Sequence, residues 1–431
     1  MMRLKIKVYV YIYVFLSLIL IQACVGVQMP NNNAYSSSYK YNFASLYNPS
    51  LSEIHPEIRI FAKSENQALV LYKIQTNEIK NLTNSITDES TKLTIKYTLR
   101  DTEKFEVVDS GTVVNIINFN EISENFSSYF TVKTPNQENH KIIISIYGEK
   151  ANSGKRMLED IELNQNNELW YLPKIIKNDT EEILYSNFVN SNNSYKISSN
   201  IKDSLIKVDY YKMQEHVHLP PYYITPTQNI SSKPDSSFIY KINDSIKFNA
   251  KGVYFFRKEK QSSGGLCLLN IDNDFPEIKT IEAMLEPLKL LTSSKEYKEI
   301  KNSENLKFSI DNFWLSKSQS QKFAKEQIRV FYNRIVLANI YFSEEKEGWK
   351  TDKGMIYIMF GPPTVINISR NQEEWFYGED PDVAGIFFLF DKIETQNYNK
   401  SWVLKRDSNY QTIWAQALQT WRQGRIFTIS N

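Results

Sequence analysis

Three carboxylates, Asp352, Glu373 and Glu374, are the residues best placed by type for acid–base chemistry. Hydrolysis by two carboxyl groups needs them to converge across a gap of about 5–9 Å, and neighbours on one strand do not converge. The His216-Val217-His218 triplet puts two imidazoles on one strand face, half of a metal site, but no third ligand accompanies it at a recognisable spacing. Two cysteines, Cys24 and Cys267, exclude a disulfide framework, a cysteine zinc site and an iron–sulfur cluster. Ser262-Ser263-Gly264-Gly265 lacks a following Gly-Lys-Ser/Thr and opens no helix, so it reads as a hairpin loop between Phe255 and Leu266. Cys267 sits in the apolar run Leu266–Leu269 and reads as a buried thiol. No nucleophile-elbow, zinc-protease or kinase pattern occurs. No catalytic set, no metal and no cofactor is therefore expected.

Cys24 points to a different chemistry. Arg3, Lys5 and Lys7 precede an apolar core, Val8–Ile21, that is short for a membrane span. The run closes with Leu20-Ile21-Gln22-Ala23-Cys24, which resembles the lipobox of bacterial lipoproteins. That resemblance implies cleavage before Cys24 and acylation of its thiol and new amino group, with palmitate-type chains anchoring the protein in a membrane. Residues 1–23 are then a signal peptide. Residues 24–44, rich in Asn and Ser, read as a flexible tether. No acidic cluster follows Cys24, which favours the periplasmic face of an outer membrane. Apart from Arg3, Lys5 and Lys7 the charges nearly cancel, from 51 Lys+Arg against 49 Asp+Glu, and no basic block stands out. Nucleic acid is thus not an expected partner.

The elements that position these residues are mostly strands. Leu93, Ile95, Tyr97 and Leu99 alternate with polar residues, Ile142, Ile144 and Ile146 repeat the pattern, and Ala68–Ile74 is apolar on both faces, as in a central strand. These runs predict a β-sandwich over 45–164. Leu205–Tyr210, Phe238–Tyr240 and Gly252–Phe256 predict a second over 165–274, interrupted by a loop whose Pro220-Pro221 pair cannot sit in a central ladder. From 275 to 431 the expectation is an α+β domain, a short antiparallel sheet packed by helices. Pro287 ends or kinks a helix over Ile281–Leu291. Gln321–Phe342 is a long helix with a stripe of Ala324, Ile328, Phe331, Ile335, Ala338 and Phe342. Met355–Phe360 carries no charge and is read as a buried strand, followed by strands at Glu374–Tyr377 and Ile386–Phe390. The last helix starts at Asp407 or Ser408 and closes at Gly424.

The densest motif is Gly348-Trp349-Lys350-Thr351-Asp352-Lys353-Gly354, running into Gly361-Pro362-Pro363. With Phe313-Trp314, Arg329, Tyr332, Arg334, Ala338-Asn339 and Phe342 before it, and Glu374-Trp375 and Tyr377 after, it resembles the GWxTD-domain family of bacterial envelope proteins, many of them lipoproteins. Lys353 stands where that family often has Arg, and the Arg-Asp-Pro that commonly follows Phe-Trp is absent. The resemblance implies an architecture and marks Arg329, Arg334, Asn339, Gly348, Trp349, Thr351, Asp352, Gly354, Gly361, Pro362, Pro363, Trp375 and Tyr377 as a motif surface. It implies no reaction.

Read physically, Thr-Asp-Lys-Gly is turn chemistry, Trp349 closes a core, and Gly361-Pro362-Pro363 makes a rigid exit. The motif is thus expected to be a structural corner, with Asp352 locked to Arg334, or to Arg329 one turn earlier. An Asp352 facing an open cavity would instead mark a ligand groove. Two functions follow from different classes. One is a membrane-anchored, non-catalytic binding or assembly module for a protein or glycan, consistent with 13% aromatic residues. The other is a carboxylate hydrolase of envelope glycans.

Overall fold

The computed structural model describes residues 42–429 apart from 85–87, 104, 151–153, 214–218, 225–232, 262–263, 319, 381–383 and 394–400. The leader, Cys24, the His216–His218 triplet and Ser262-Ser263 lie outside the described residues.

Alternating Val, Ile and Leu build the first sandwich. Strands β1 (Glu57–Ser64), β2 (Gln67–Gln75) and β5 (Asn125–Lys133) form one sheet in the order β1-β2-β5. The facing sheet orders as β4-β3-β6-β7, from β3 (Ser90–Asp101), β4 (Val107–Asn118), β6 (Asn139–Tyr147) and β7 (Lys155–Glu162). Leu93, Ile95 and Leu99 are fully buried against Ile142, Ile144 and Ile146, as the period-two pattern requires. β2 is the central strand, with Val70 in the core and Leu71 packed on Leu172 behind it. One short helix, α1 (Thr76–Lys80), interrupts a region where no helix was expected.

The second sandwich adds β9 (Thr180–Ile183), β10 (Phe188–Val189), β11 (Ser194–Ser199), β13 (Ser236–Lys241) and β14 (Ser245–Ile246) to the four strands that carry most of its core. Those four are β8 (Tyr171–Lys177), β12 (Leu205–Lys212), β15 (Gly252–Arg257) and β16 (Leu266–Asn270), and the sheet β14-β11-β8-β9 stacks on β10-β16-β15-β12-β13. β15 and β16 form the expected hairpin, and Cys267 is a buried thiol whose pKa burial pushes well up. Both sandwiches share one continuous apolar cluster. Arg59 on β1 crosses the seam, donating to the carbonyls of Leu184 (3.2 Å) and Ser186 (2.7 Å).

The C-terminal part is α+β. Helices α2 (Ile281–Leu285), α3 (Ser294–Lys301), α4 (Leu306–Leu315), α5 (Gln321–Phe342), α6 (Asp352–Phe360) and α7 (Tyr410–Arg422) surround the antiparallel sheet β17-β18-β19-β20 (Val365–Ile368, Gln372–Asp380, Ala384–Ile393, Ser401–Leu404). Pro287 ends α2 in a 3-10 turn, and Gly424, at φ +74°, stops α7. The first residue of α7 is Tyr410, and Asn409, rather than Asp407 or Ser408, precedes it. On α5, Phe331 and Ile335 are fully buried as predicted, but the stripe is rotated slightly. Gln327 takes the buried place expected of Ile328 and donates to the Trp421 carbonyl.

Two expectations are overturned. Met355–Phe360 is not a strand but the body of α6. Its residues are buried on every side, so hydrophobic periodicity could not separate helix from strand, and the deciding signal is the N-cap at Thr351. The tether read over 24–44 ends before its last residues. Phe43 and Ala44 are 3% and 2% exposed, and the Phe43 N–H donates to the Ile366 carbonyl (3.0 Å). Phe43 and Tyr47 supply enough apolar surface to seat this otherwise polar stretch beside β17. The same cluster takes in Ile143 from β6, so the outer face of the first sandwich rests on the C-terminal domain. Asp160 on β7 ties the two, bonded to Lys141 (2.7 Å) and to Lys392 on β19 (3.0 Å).

Candidate functional site

The motif starts by laying backbone directly on backbone. A Cβ on Gly348 would stand 1.9 Å from the Ala338 carbonyl oxygen on α5, and one on Gly354 would stand 1.9 Å from the Gly348 oxygen. Only glycine fits either place. Asn339, fully buried on α5, fastens the approach. Its Oδ1 accepts the Trp349 N–H (3.2 Å), its Nδ2 donates to Pro276 (3.1 Å), and its carbonyl accepts the Ser343 hydroxyl (2.7 Å). Trp349 is 5% exposed, with Lys350 over its ring.

Thr351 then opens α6. Its hydroxyl accepts the Gly354 N–H (3.0 Å) and donates to the Gly348 carbonyl (2.7 Å). Asp352, the first residue of α6, accepts the Leu404 N–H (2.9 Å) and pairs with Arg406. Arg406 also donates to the carbonyls of Leu219 (2.9 Å) and Pro220 (2.8 Å), so the proline loop of the second sandwich is held to the motif through one guanidinium.

The expected Arg334–Asp352 and Arg329–Asp352 pairs do not form. Arg329 is exposed and pairs with Glu326. Arg334 is 8% exposed, not at the rim, and donates to the carbonyls of Ile358 (2.9 Å) and Met359 (3.4 Å) beneath the Trp421 ring. Burial brings its guanidinium down to about 10. The reason is where the turn rests: Gly348 lies on Ala338 and Asn339, one turn past Arg334 on α5, and α6 runs back from there. Asp352 sits at the N-terminus of α6 and Arg334 at its C-terminus, about 12 Å apart at 1.5 Å per residue. Each charge has the sign that complements its end of the helix. Gly361, at φ +88°, ends α6 directly on the Arg334 guanidinium, Tyr377 donates to the Gly361 carbonyl (2.8 Å), and Pro362-Pro363 leads the chain away into β17.

Lys353 and Glu373 form a buried ion pair, Nζ to Oε2 at 2.5 Å, with side chains 4% and 2% exposed. Trp375 Nε1 donates to the other Glu373 oxygen (2.7 Å), and the Lys353 ammonium lies 3.8 Å from the Trp402 ring centroid. Tyr47 closes the top, its hydroxyl 3.4 Å from Glu373. Burial and the Glu373 charge push that hydroxyl's pKa well up, and burial draws the Lys353 ammonium down against the opposing pull of Glu373. Glu374 points elsewhere and accepts from Asn367 Nδ2 (3.2 Å). Asp352 and Glu373 therefore each carry a basic partner, and neither is set up as half of a carboxyl pair.

Sequence reasoning missed Arg406, Tyr47, Trp402 and Glu344. Tyr47 and Trp402 carry no local pattern, and Arg406 is visible only once β20 is known to end beside α6. Burial pushes the Glu344 carboxyl up to about 7, against Lys346, Lys353, the Trp402 N–H (3.2 Å) and the Ser401 hydroxyl. Between 4.5 and about 7 the folded chain keeps a proton that the unfolded chain has lost, so this group's contribution to stability falls as pH rises through that window and is level above it. Glu344→Gln should stabilise the protein at pH 8 by about 2 kcal/mol, allowing for the partly open surface, and change little at pH 4. Thermal melts of both proteins across that range would expose an error, since equal shifts at both ends contradict the assignment.

Residues 252–423 match the family model described as the GWxTD domain. No curated protein matches the chain. Among solved structures, a β-glucuronidase from glycoside hydrolase family 2 is similar at 14% identity and TM-score 0.17 over 25% of this chain and 11% of its own. A putative beta-galactosidase from Bacteroides fragilis is similar at 11% identity and TM-score 0.18, over 32% and 20%. Red sea bream transglutaminase is similar at 8% identity and TM-score 0.19, over 51% and 31%. The chain spans less than a third of the length of each.

Proposed function

We propose that this chain, which carries a GWxTD domain over residues 252–423, works as a lipid-anchored, non-catalytic binding or assembly module of a bacterial envelope, holding a protein or glycan partner near an outer membrane. One observation carries the reading: Asp352 and Glu373, the motif's candidate acids, are spent on structure. Asp352 is engaged by Arg406 and the Leu404 N–H, Glu373 by Lys353, Trp375 and Tyr47. A glycan hydrolase would need two converging carboxyls free of such cations. The charged start, the short apolar core and Ala23-Cys24 support the anchor. With Asn42 and Phe43 seated beside β17, a tether from Cys24 would hang the molecule by its C-terminal domain.

Cell fractionation tests the anchor. Cys24→Ser should move the protein out of the membrane fraction or leave it unprocessed. Unchanged membrane association with a mature N-terminus still at residue 24 would end the lipoprotein reading. Pull-down of the anchored protein from its native envelope then tests the partner, and a stable protein or glycan companion is expected.

A further inference from the structure

The first sandwich has an edge without the usual guards. β4 runs for 12 residues at the border of its sheet and, among the described residues, pairs only with β3. Such edges are normally protected by proline, lysine, bulges or a covering element, because their unpaired N–H and C=O groups template further strands. β4 has no proline, lysine or arginine, and its one ionisable residue is Asp109. Its only register shift lies at its start, opposite Leu99 and Arg100, so the rest is regular. Beyond that shift the inward residues are committed: Ile117 is buried, Val113 packs on the core, and Asn115 donates to the Tyr72 hydroxyl (2.9 Å). The outward ones are not. Val114 is 48% exposed and Ile116 82%, the latter very open for a β-branched apolar side chain.

We propose that β4 is a self-association edge, pairing antiparallel with β4 of a second copy of this chain to make one continuous eight-stranded sheet. The occupant is argued from the strand itself. A two-fold axis requires that residue i face j and j face i. Centring the axis on Val114 sets Val114 against its own copy, Ile116 against Thr112 and Ser110 against Asn118. Val114 and Ile116, the open apolar side chains of the regular stretch, then meet near the axis, each Ile116 lying diagonal to the other copy's Val114 and within its reach. Asp109 and the register shift fall outside the paired stretch, so no charge meets a like charge. Gly111 lies under the Tyr97 ring and leaves the inner side of the edge flat. One strand pair buries less than the roughly 1,000 Å² of a stable interface, so the dimer is expected to be micromolar.

Sedimentation velocity on the full chain in detergent should show a monomer–dimer equilibrium. Ile116→Lys should weaken it by at least about tenfold without altering the far-UV spectrum, because the side chain it replaces is open to solvent. A short bis-maleimide locates the axis. Val114→Cys should cross-link to dimer above the parent's background, while Ser110→Cys should not, because its two copies would lie roughly 27 Å apart. A protein that stays monomeric overturns the proposal, including one whose β4 is covered by its own residues 24–41. So does a dimer indifferent to Ile116→Lys, or equal cross-linking through positions 110 and 114.

Discussion

Gly348→Ala should unfold the C-terminal domain. The added methyl would meet the Ala338 oxygen at 1.9 Å, its carbon at 2.6 Å and the Asn339 Cα at 2.8 Å, all backbone of one helix turn. No rotamer change relieves that contact. Either the turn lifts off α5 or α5 bends, and lifting the turn strips Trp349 and the Thr351 cap from their places. The cost should reach about 5 kcal/mol or more, comparable with the whole stability of a domain. Every tryptophan but Trp170 lies beyond residue 275, so guanidinium unfolding followed by tryptophan fluorescence reports this domain directly. An unchanged midpoint would mean that the turn does not rest on α5.

Lys353→Met should cost about 3–5 kcal/mol, the range for breaking a buried pair from one side. Methionine fills similar volume, so the loss comes from leaving the Glu373 charge beneath Tyr47, Trp375 and Phe390 without its cation. Two further measurements separate this from a packing defect. Lys353→Met with Glu373→Gln should recover most of the loss, because glutamine keeps an acceptor for Trp375 and carries no charge. The single variant should also lose less at acidic pH, where the stranded carboxyl takes up a proton. A double variant no better than the single one, with a loss independent of pH, would place the effect in packing alone.

Much of this was legible from residue order. Alternation gave the sandwich strands because each has one face in a core. The α5 stripe was legible because 22 residues repeat the helical period several times over. The turn chemistry of Thr351 and Gly354 is legible too, and physically it outweighs the uniformly apolar run that follows. Thr351 is the N-cap of the segment expected as a strand, and that cap is what makes it a helix. The wrong partner for Asp352 has a separate cause: nothing in the local sequence says that the turn rests on Ala338 and Asn339, or that the end of β20 brings Arg406 to Asp352. Lys353–Glu373 was out of reach, because nothing in the local sequence says that α6 and β18 pack face to face. Nor could composition reveal that Asn42–Ala44, the end of the stretch expected as a tether, seats beside β17.

As a structural corner, the motif uses Asp352 through Arg406 and the Leu404 N–H rather than through chemistry. A double-mutant cycle on Asp352→Asn and Arg406→Met, read as unfolding free energy of the full chain, tests that claim most directly. The expected coupling is about 1–3 kcal/mol, with Arg406→Met the more damaging single change because it also releases Leu219 and Pro220. Coupling near zero, with Asp352→Asn as stable as the parent, would contradict it and return Asp352 to the residues to be tested for ligand binding or acid chemistry.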